Sequence, residues 1–189
     1  MNKPSHSIYL ICSKTGTWLS TLIGLCSHLQ YAHASISFDE SFERLYSFGR
    51  TEPDNPFCGG FVIENLYEGV YTKSQDCRCL IYRIPVTALQ YEALSNRIER
   101  FILEKDTYSY NMLGLFGILF NTPIKRKSHY FCSQFVAEIL IESGIFSSSK
   151  VTQLITTDDL LTLDTKEFVF EGPINRSNIT QAQKGIQTS

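Results

Sequence analysis

Cys132 stands at the head of a periodic stretch, Tyr130 to Gly144, and is the residue best placed to do chemistry. Phe135, Val136, Ile139 and Leu140 recur at the spacings of one helical face, while Gln134, Glu138 and Glu142 fall on the opposite, wet face. The pattern predicts a helix of about three or four turns beginning at Cys132 and closed by Gly144. A thiol in a first helical turn meets unpaired backbone N–H groups and the positive end of the macrodipole, which favour the thiolate and make a nucleophile. The same position also suits a buried small hydrophobe, the commonest role of a free cysteine.

A cysteine nucleophile needs a base or cationic partner, and the chain has four histidines: His6, His28, His33 and His129. His129 lies three residues before Cys132 in an expected loop, without a rigid support for its ring. His6 is near the N-terminus, and His28 ends an expected helix. His33 opens an expected strand, and a ring held on a strand facing a helix has the fixed geometry that proton transfer requires.

The elements that must position these groups read as follows. Ser7 to Cys12 is a strand, followed by turn residues and a helix carrying Trp18, Leu22 and Leu25. Ala32 to Phe38 and Arg44 to Gly49 form a hairpin, with His33, Ser35 and Ser37 on one face of its first strand. Thr51 to Pro56 is a turn, and Phe61 to Ile63 and Gly69 to Tyr71 are short strands. Arg78 to Val86 is a strand and Thr87 to Lys105 an amphipathic helix. Leu113 to Phe120 is an apolar segment, either a core helix or a pocket wall. A short helix around Thr157 to Leu163 and a last strand at Glu167 to Glu171 complete one domain, residues 1–172. Polar, aperiodic sequence makes 173–189 an expected flexible tail.

Composition narrows the classes. With 189 residues, 43% hydrophobic, the chain can bury one sizeable core. A net charge of -2 provides no broad basic field for nucleic acid, and only Lys125-Arg126-Lys127 is locally cationic. Met1 to Cys12 lacks a signal-peptide pattern, and Met112 to Phe120 is far shorter than the roughly 20 residues that span a bilayer. A cytoplasmic protein with reduced thiols is therefore expected. Cys77 and Cys79 are too close for a relaxed disulfide, and without a Cys-x-x-Cys pair no metal or other cofactor is expected.

Four motifs in order, Tyr31-Ala-His-Ala-Ser-Ile, Leu45-Tyr-Ser-Phe-Gly-Arg, Asn55-Pro-Phe-Cys-Gly-Gly-Phe-Val and Tyr130-Phe-Cys-Ser-Gln-Phe-Val-Ala-Glu, resemble the bacterial YaeF/YiiX-type permuted papain-like amidases. That family is similar to the NlpC cell-wall peptidases and the lecithin retinol acyltransferase group. The resemblance, from about Ile8 to about Leu163, implies an α+β fold, a circularly permuted papain-like hydrolase with an antiparallel sheet packed against helices. It implies His33 and Cys132 as the catalytic pair. Such families place a polar or acidic residue, often Glu or His, on the strand after the histidine strand; here that strand offers Ser47. If Phe38 pairs with Arg44, Ser47 opposes Ser35 and lies diagonal to His33, about 7–8 Å away. A register shifted by two residues puts Ser47 directly opposite His33, and an odd shift aims Tyr46 or Phe48 at it. The Cys132 backbone N–H, assisted by Tyr110 as a substrate-binding residue, is the expected oxyanion donor.

The expected function is a cysteine amidase or peptidase that forms an acyl-enzyme with a peptide or amide-linked amino acid. Two alternatives are a lipid deacylase or acyltransferase, suggested by the apolar Leu113 to Phe120 segment, and a binding module that holds a peptide or lipid without turnover.

Overall fold

Two strands of nine residues, β1 (His6–Lys14) and β5 (Arg78–Val86), pair antiparallel along their whole length and form the middle of a six-stranded sheet. The computed structural model describes residues 3–15, 29–50, 59–73, 76–111, 114, 117, 118, 120 and 122–187. On the free side of β1 lie β2 (His33–Ser37), β3 (Leu45–Arg50) and β4 (Gly59–Glu64), and beyond β5 lies β8 (Glu167–Pro173). The order is β4-β3-β2-β1-β5-β8 with every pairing antiparallel. A separate two-residue parallel pairing joins β6 (Ser109–Tyr110) to β7 (His129–Tyr130).

Period-two alternation divides the sheet residues between two cores. Ile8, Leu10, Cys12, Ala34, Ile36, Phe48 and Ile84 pack beneath α1 (Ala88–Leu103) and α2 (Cys132–Glu142), which contribute Leu94, Ile98, Phe101, Phe135, Val136 and Ile139. Tyr9, Ile11, Leu45, Cys79 and Ile81 face the other way, against Phe42, Leu66 and Tyr71. With two other elements, α3 (Thr157–Leu160) and α4 (Arg176–Gln187), the described residues form an α+β architecture. No helix among them is long and apolar enough to cross a membrane.

Local chemistry explains the helix ends. Thr87 accepts from the Gln90 backbone N–H while the Gln90 side chain accepts from that of Thr87, a capping box that starts α1 one residue after the expected point. Gly144, at φ 65°, takes the left-handed conformation that ends α2.

Two expectations are corrected. Gly69 to Tyr71 is not a strand but part of a 3₁₀ turn, Gly69–Thr72, with Gly69 at φ 61°. The expected flexible tail contains the twelve-residue α4. Asn175 Oδ1 accepts from the Ser177 backbone N–H at 2.9 Å, Ile179 is fully buried, and Arg176 pairs with Glu43 at 2.8 Å. One apolar anchor and a cap suffice to dock a helix whose composition is otherwise polar. The helix expected around Trp18, Leu22 and Leu25, His28, the Thr51 to Pro56 turn and half of the residues from Leu113 to Phe120 lie outside the described residues.

Candidate active site

α2 begins at Cys132 after Phe131, whose side chain provides no cap. The first turn is held instead by Ser133 Oγ, which donates to the Ile155 carbonyl at 2.8 Å. Cys132 is 4% exposed, and its sulfur lies 3.7 Å from the Ala32 carbonyl oxygen. The backbone N–H groups of Ala34 and Ser133 and the ring of His33 hydrogen-bond to the sulfur. The thiol therefore meets β2 at its first residues. That strand start is itself pinned, because Thr157 Oγ1 donates to the Tyr31 carbonyl at 2.5 Å and the Tyr31 hydroxyl donates to Glu171 at 2.8 Å.

His33 opens β2, directly opposite Ser13 of β1. Its Nε2 lies 2.9 Å from Glu64 Oε2, which leaves Nδ1 for the thiol. The side chains of His33 and Glu64 are 17% and 18% exposed, so the pair is largely shielded. Tyr71 donates its hydroxyl to the same Glu64 oxygen at 3.0 Å, with the Ser13 hydroxyl beside it. Sulfur, imidazole, carboxylate and phenol thus form one hydrogen-bonded line drawn from α2, β2, β4 and the 3₁₀ turn.

The electrostatics of this line oppose burial. Desolvation pushes the Cys132 thiol up, but the hydrogen bond and charge of His33 outweigh it and hold the thiol below its ordinary value. Burial also disfavours the imidazolium, yet the Glu64 charge, with hydrogen bonds from both neighbours, raises His33 well above its ordinary value. For Glu64, desolvation again opposes the charged form and the His33 charge prevails, lowering its pKa. Burial and the Glu64 charge keep the Tyr71 proton in place well above the usual tyrosine range. The arrangement favours a thiolate, an imidazolium and a carboxylate in sequence.

The structure therefore brings His33 to Cys132 but assigns Ser47 elsewhere. Ile36 pairs with Tyr46, the register that sets Ser47 opposite Ser35. The buried Ser47 hydroxyl donates to the Ala34 carbonyl at 2.6 Å, and the imidazole nitrogen it was expected to hold is held by Glu64. On the same register Gly49 lies opposite His33. A Cβ there would sit 3.3 Å from Val62 Cγ2, 3.7 Å from Glu64 Oε1 and 4.0 Å from His33 Cε1. The missing side chain leaves room for the carboxylate to approach the ring from the next strand. The clue in the sequence is that Gly60, Val62 and Glu64 alternate onto one face.

The remaining expected residues have other surroundings. Tyr110 is buried in the α1/α2 core on β6, paired with Tyr130. His6 stacks on Tyr91 and bonds Ser5, and His129 Nδ1 donates to the Lys127 carbonyl at 2.7 Å. Gln134, expected on the wet face of α2, is only 4% exposed. Among the described residues no group of three His, Cys, Asp or Glu side chains is placed to hold a metal ion. Fold and site together define an α+β protein with a shielded Cys–His–Glu array. No protein-family model and no curated protein matches the chain.

Proposed function

We propose that the protein is a cysteine hydrolase in which Cys132 is the nucleophile, His33 the general base and acid, and Glu64 the group that orients the ring. The observation that carries this reading is the unbroken line from the Cys132 sulfur through the imidazole to Glu64, with each pKa moved toward the ion-pair state. The thiolate attacks the carbonyl carbon of an amide. His33 gives its proton to the departing amine as the C–N bond breaks, leaving a thioester on Cys132. Water then loses a proton to His33 and attacks the thioester, releasing the acid and restoring the Cys132 thiolate beside the His33 imidazolium. The Cys132 backbone N–H at the helix start, where no intrahelical acceptor exists, is the donor for the oxyanion.

The resemblance to the permuted papain-like amidases supports the same roles for His33 and Cys132 and a peptide or amide-linked amino acid as substrate. Glu64 departs from their usual arrangement by standing one strand further from the histidine. Its carboxylate supplies the countercharge that a serine lacks.

A panel of amino-acid and dipeptide p-nitroanilides tests the reading, with the thioester on Cys132 sought by mass spectrometry after rapid acid quench. Turnover is expected to vanish in Cys132→Ala and His33→Ala with circular dichroism unchanged, and to persist in His129→Ala. Full activity in His33→Ala would remove the proposed base. Transfer of a fatty acyl group to Cys132 from a lipid ester, without amide cleavage, would establish the acyltransfer alternative instead.

A further inference from the structure

The cationic run Lys125-Arg126-Lys127 takes no part in the thiol chemistry, and the structure gives it a setting of its own. All three side chains are exposed, and none forms an ion pair with a described residue. The turn that carries them is anchored at both ends. Asn111 Nδ2 donates to the Ile124 carbonyl at 3.3 Å and the Ser109 backbone N–H to the Ser128 carbonyl at 2.9 Å. Ser128 adopts φ 58°, in the left-handed region that a serine enters at a cost.

This turn lines an open surface pocket of about 520 Å³ together with Val151, Thr152 and Gln153 and with Gln134 and Glu138 of α2. Such a volume is in the range of small-molecule sites. Glu138 is already held by the Tyr130 hydroxyl at 2.9 Å and by Arg97 at 3.4 Å, so the unbalanced charge of the walls is positive. Gln134 also lines the pocket, but it is only 4% exposed and its Oε1 is closed off from solvent. Gln134 and Glu138 are one turn apart on a flank of α2 different from that of Cys132, which lies against β2.

We propose that this pocket binds a phosphomonoester, with the phosphate on the Lys125–Lys127 turn and the rest of the ligand in the pocket beside it. Three adjacent cations match a phosphate dianion, and the Arg126 fork can bind two of its oxygens at once. The ligand is a free sugar phosphate or the headgroup of a phosphorylated inositol lipid, and the site does not depend on the Cys132 chemistry.

Calorimetric titration of the full chain with glucose 6-phosphate, glucose and inorganic phosphate tests this. A parallel arm measures co-sedimentation with phosphatidylcholine vesicles with and without phosphatidylinositol 4-phosphate. Glucose 6-phosphate is expected to bind, more weakly at high salt, and glucose to show no heat. The Lys125→Ala/Arg126→Ala/Lys127→Ala variant should weaken binding by about tenfold or more, and Arg126→Ala alone should weaken it measurably. Binding only to the phosphoinositide vesicles identifies a lipid headgroup as the source. The proposal is overturned if no phosphorylated probe binds in either arm, if glucose binds as well as its phosphate, or if the triple variant binds as the wild type does.

Discussion

Replacing Glu64 by Gln removes a charge while keeping a shape. The amide oxygen can still accept from His33 and Tyr71, which lie 2.9 and 3.0 Å from the Glu64 carboxylate, so the ring keeps its place. Two unit charges about 4 Å apart at an effective dielectric of about 20 attract by about 4 kcal/mol. The carboxylate also loses hydration on burial, the largest single influence on its own pKa, and that cost disappears with it. After this offset a net of about 1.5–3 kcal/mol remains, so the substitution lowers the pKa of His33.

Because the imidazolium is what holds the Cys132 thiol below its ordinary value, the thiol should rise when the imidazolium weakens. The assay is the rate of iodoacetamide labelling as a function of pH, read at Cys132 by peptide mass spectrometry because the chain has six cysteines. In Glu64→Gln the acid limb should move up by about one pH unit. His33→Phe should move it at least as far, and the double variant no further than His33→Phe, since both substitutions act through one ring. An acid limb that stays in place in Glu64→Gln, with Cys132 still labelled at low pH, would refute the role of this carboxylate.

Ser47→Ala removes a buried donor to the Ala34 carbonyl and should cost about 1–2 kcal/mol in urea unfolding, with the Cys132 labelling profile unchanged. Ile179→Ala should cost about 2–4 kcal/mol by the same measurement, whereas a loosely attached tail would make it neutral. Unfolding in urea across pH should also show the His33–Glu64 pair as a window in the advantage of wild type over Glu64→Gln. Glu64 has a lowered folded pKa, so its contribution is present above about 4.3 and is lost as acid protonates it through that lowered value. His33 has a raised folded pKa, so its contribution is complete below about 6.5 and is lost as the pH rises through that raised value. The advantage should peak near pH 5–6, and a monotonic pH dependence would contradict it.

What was legible and what was not divides by the range of the physics involved. Cys132 at a helix start and His33 at a strand start follow from local periodicity, since each depends on the repeat of its own element. The hairpin alone leaves the β2–β3 register open among alternatives, and the observed Ile36–Tyr46 pair is the one that places Ser47 diagonal to His33. Periodicity says which way a side chain points, but not what another element sets beside it. Gln134 belongs to the polar side of α2, yet it is only 4% exposed, with the 125–128 turn and Val151 to Gln153 gathered around that side. Glu64 is harder still. It lies one residue beyond the expected Phe61 to Ile63 strand, where an acid reads as strand punctuation, and it comes to His33 only because β4 pairs with β3 and Gly49 puts no side chain between them. A glycine opposite a histidine is thus a site signal of a kind that single-element reading discards. It marks where the sheet leaves space for a group from a strand further on, and here that group supplies the countercharge on which the thiolate depends.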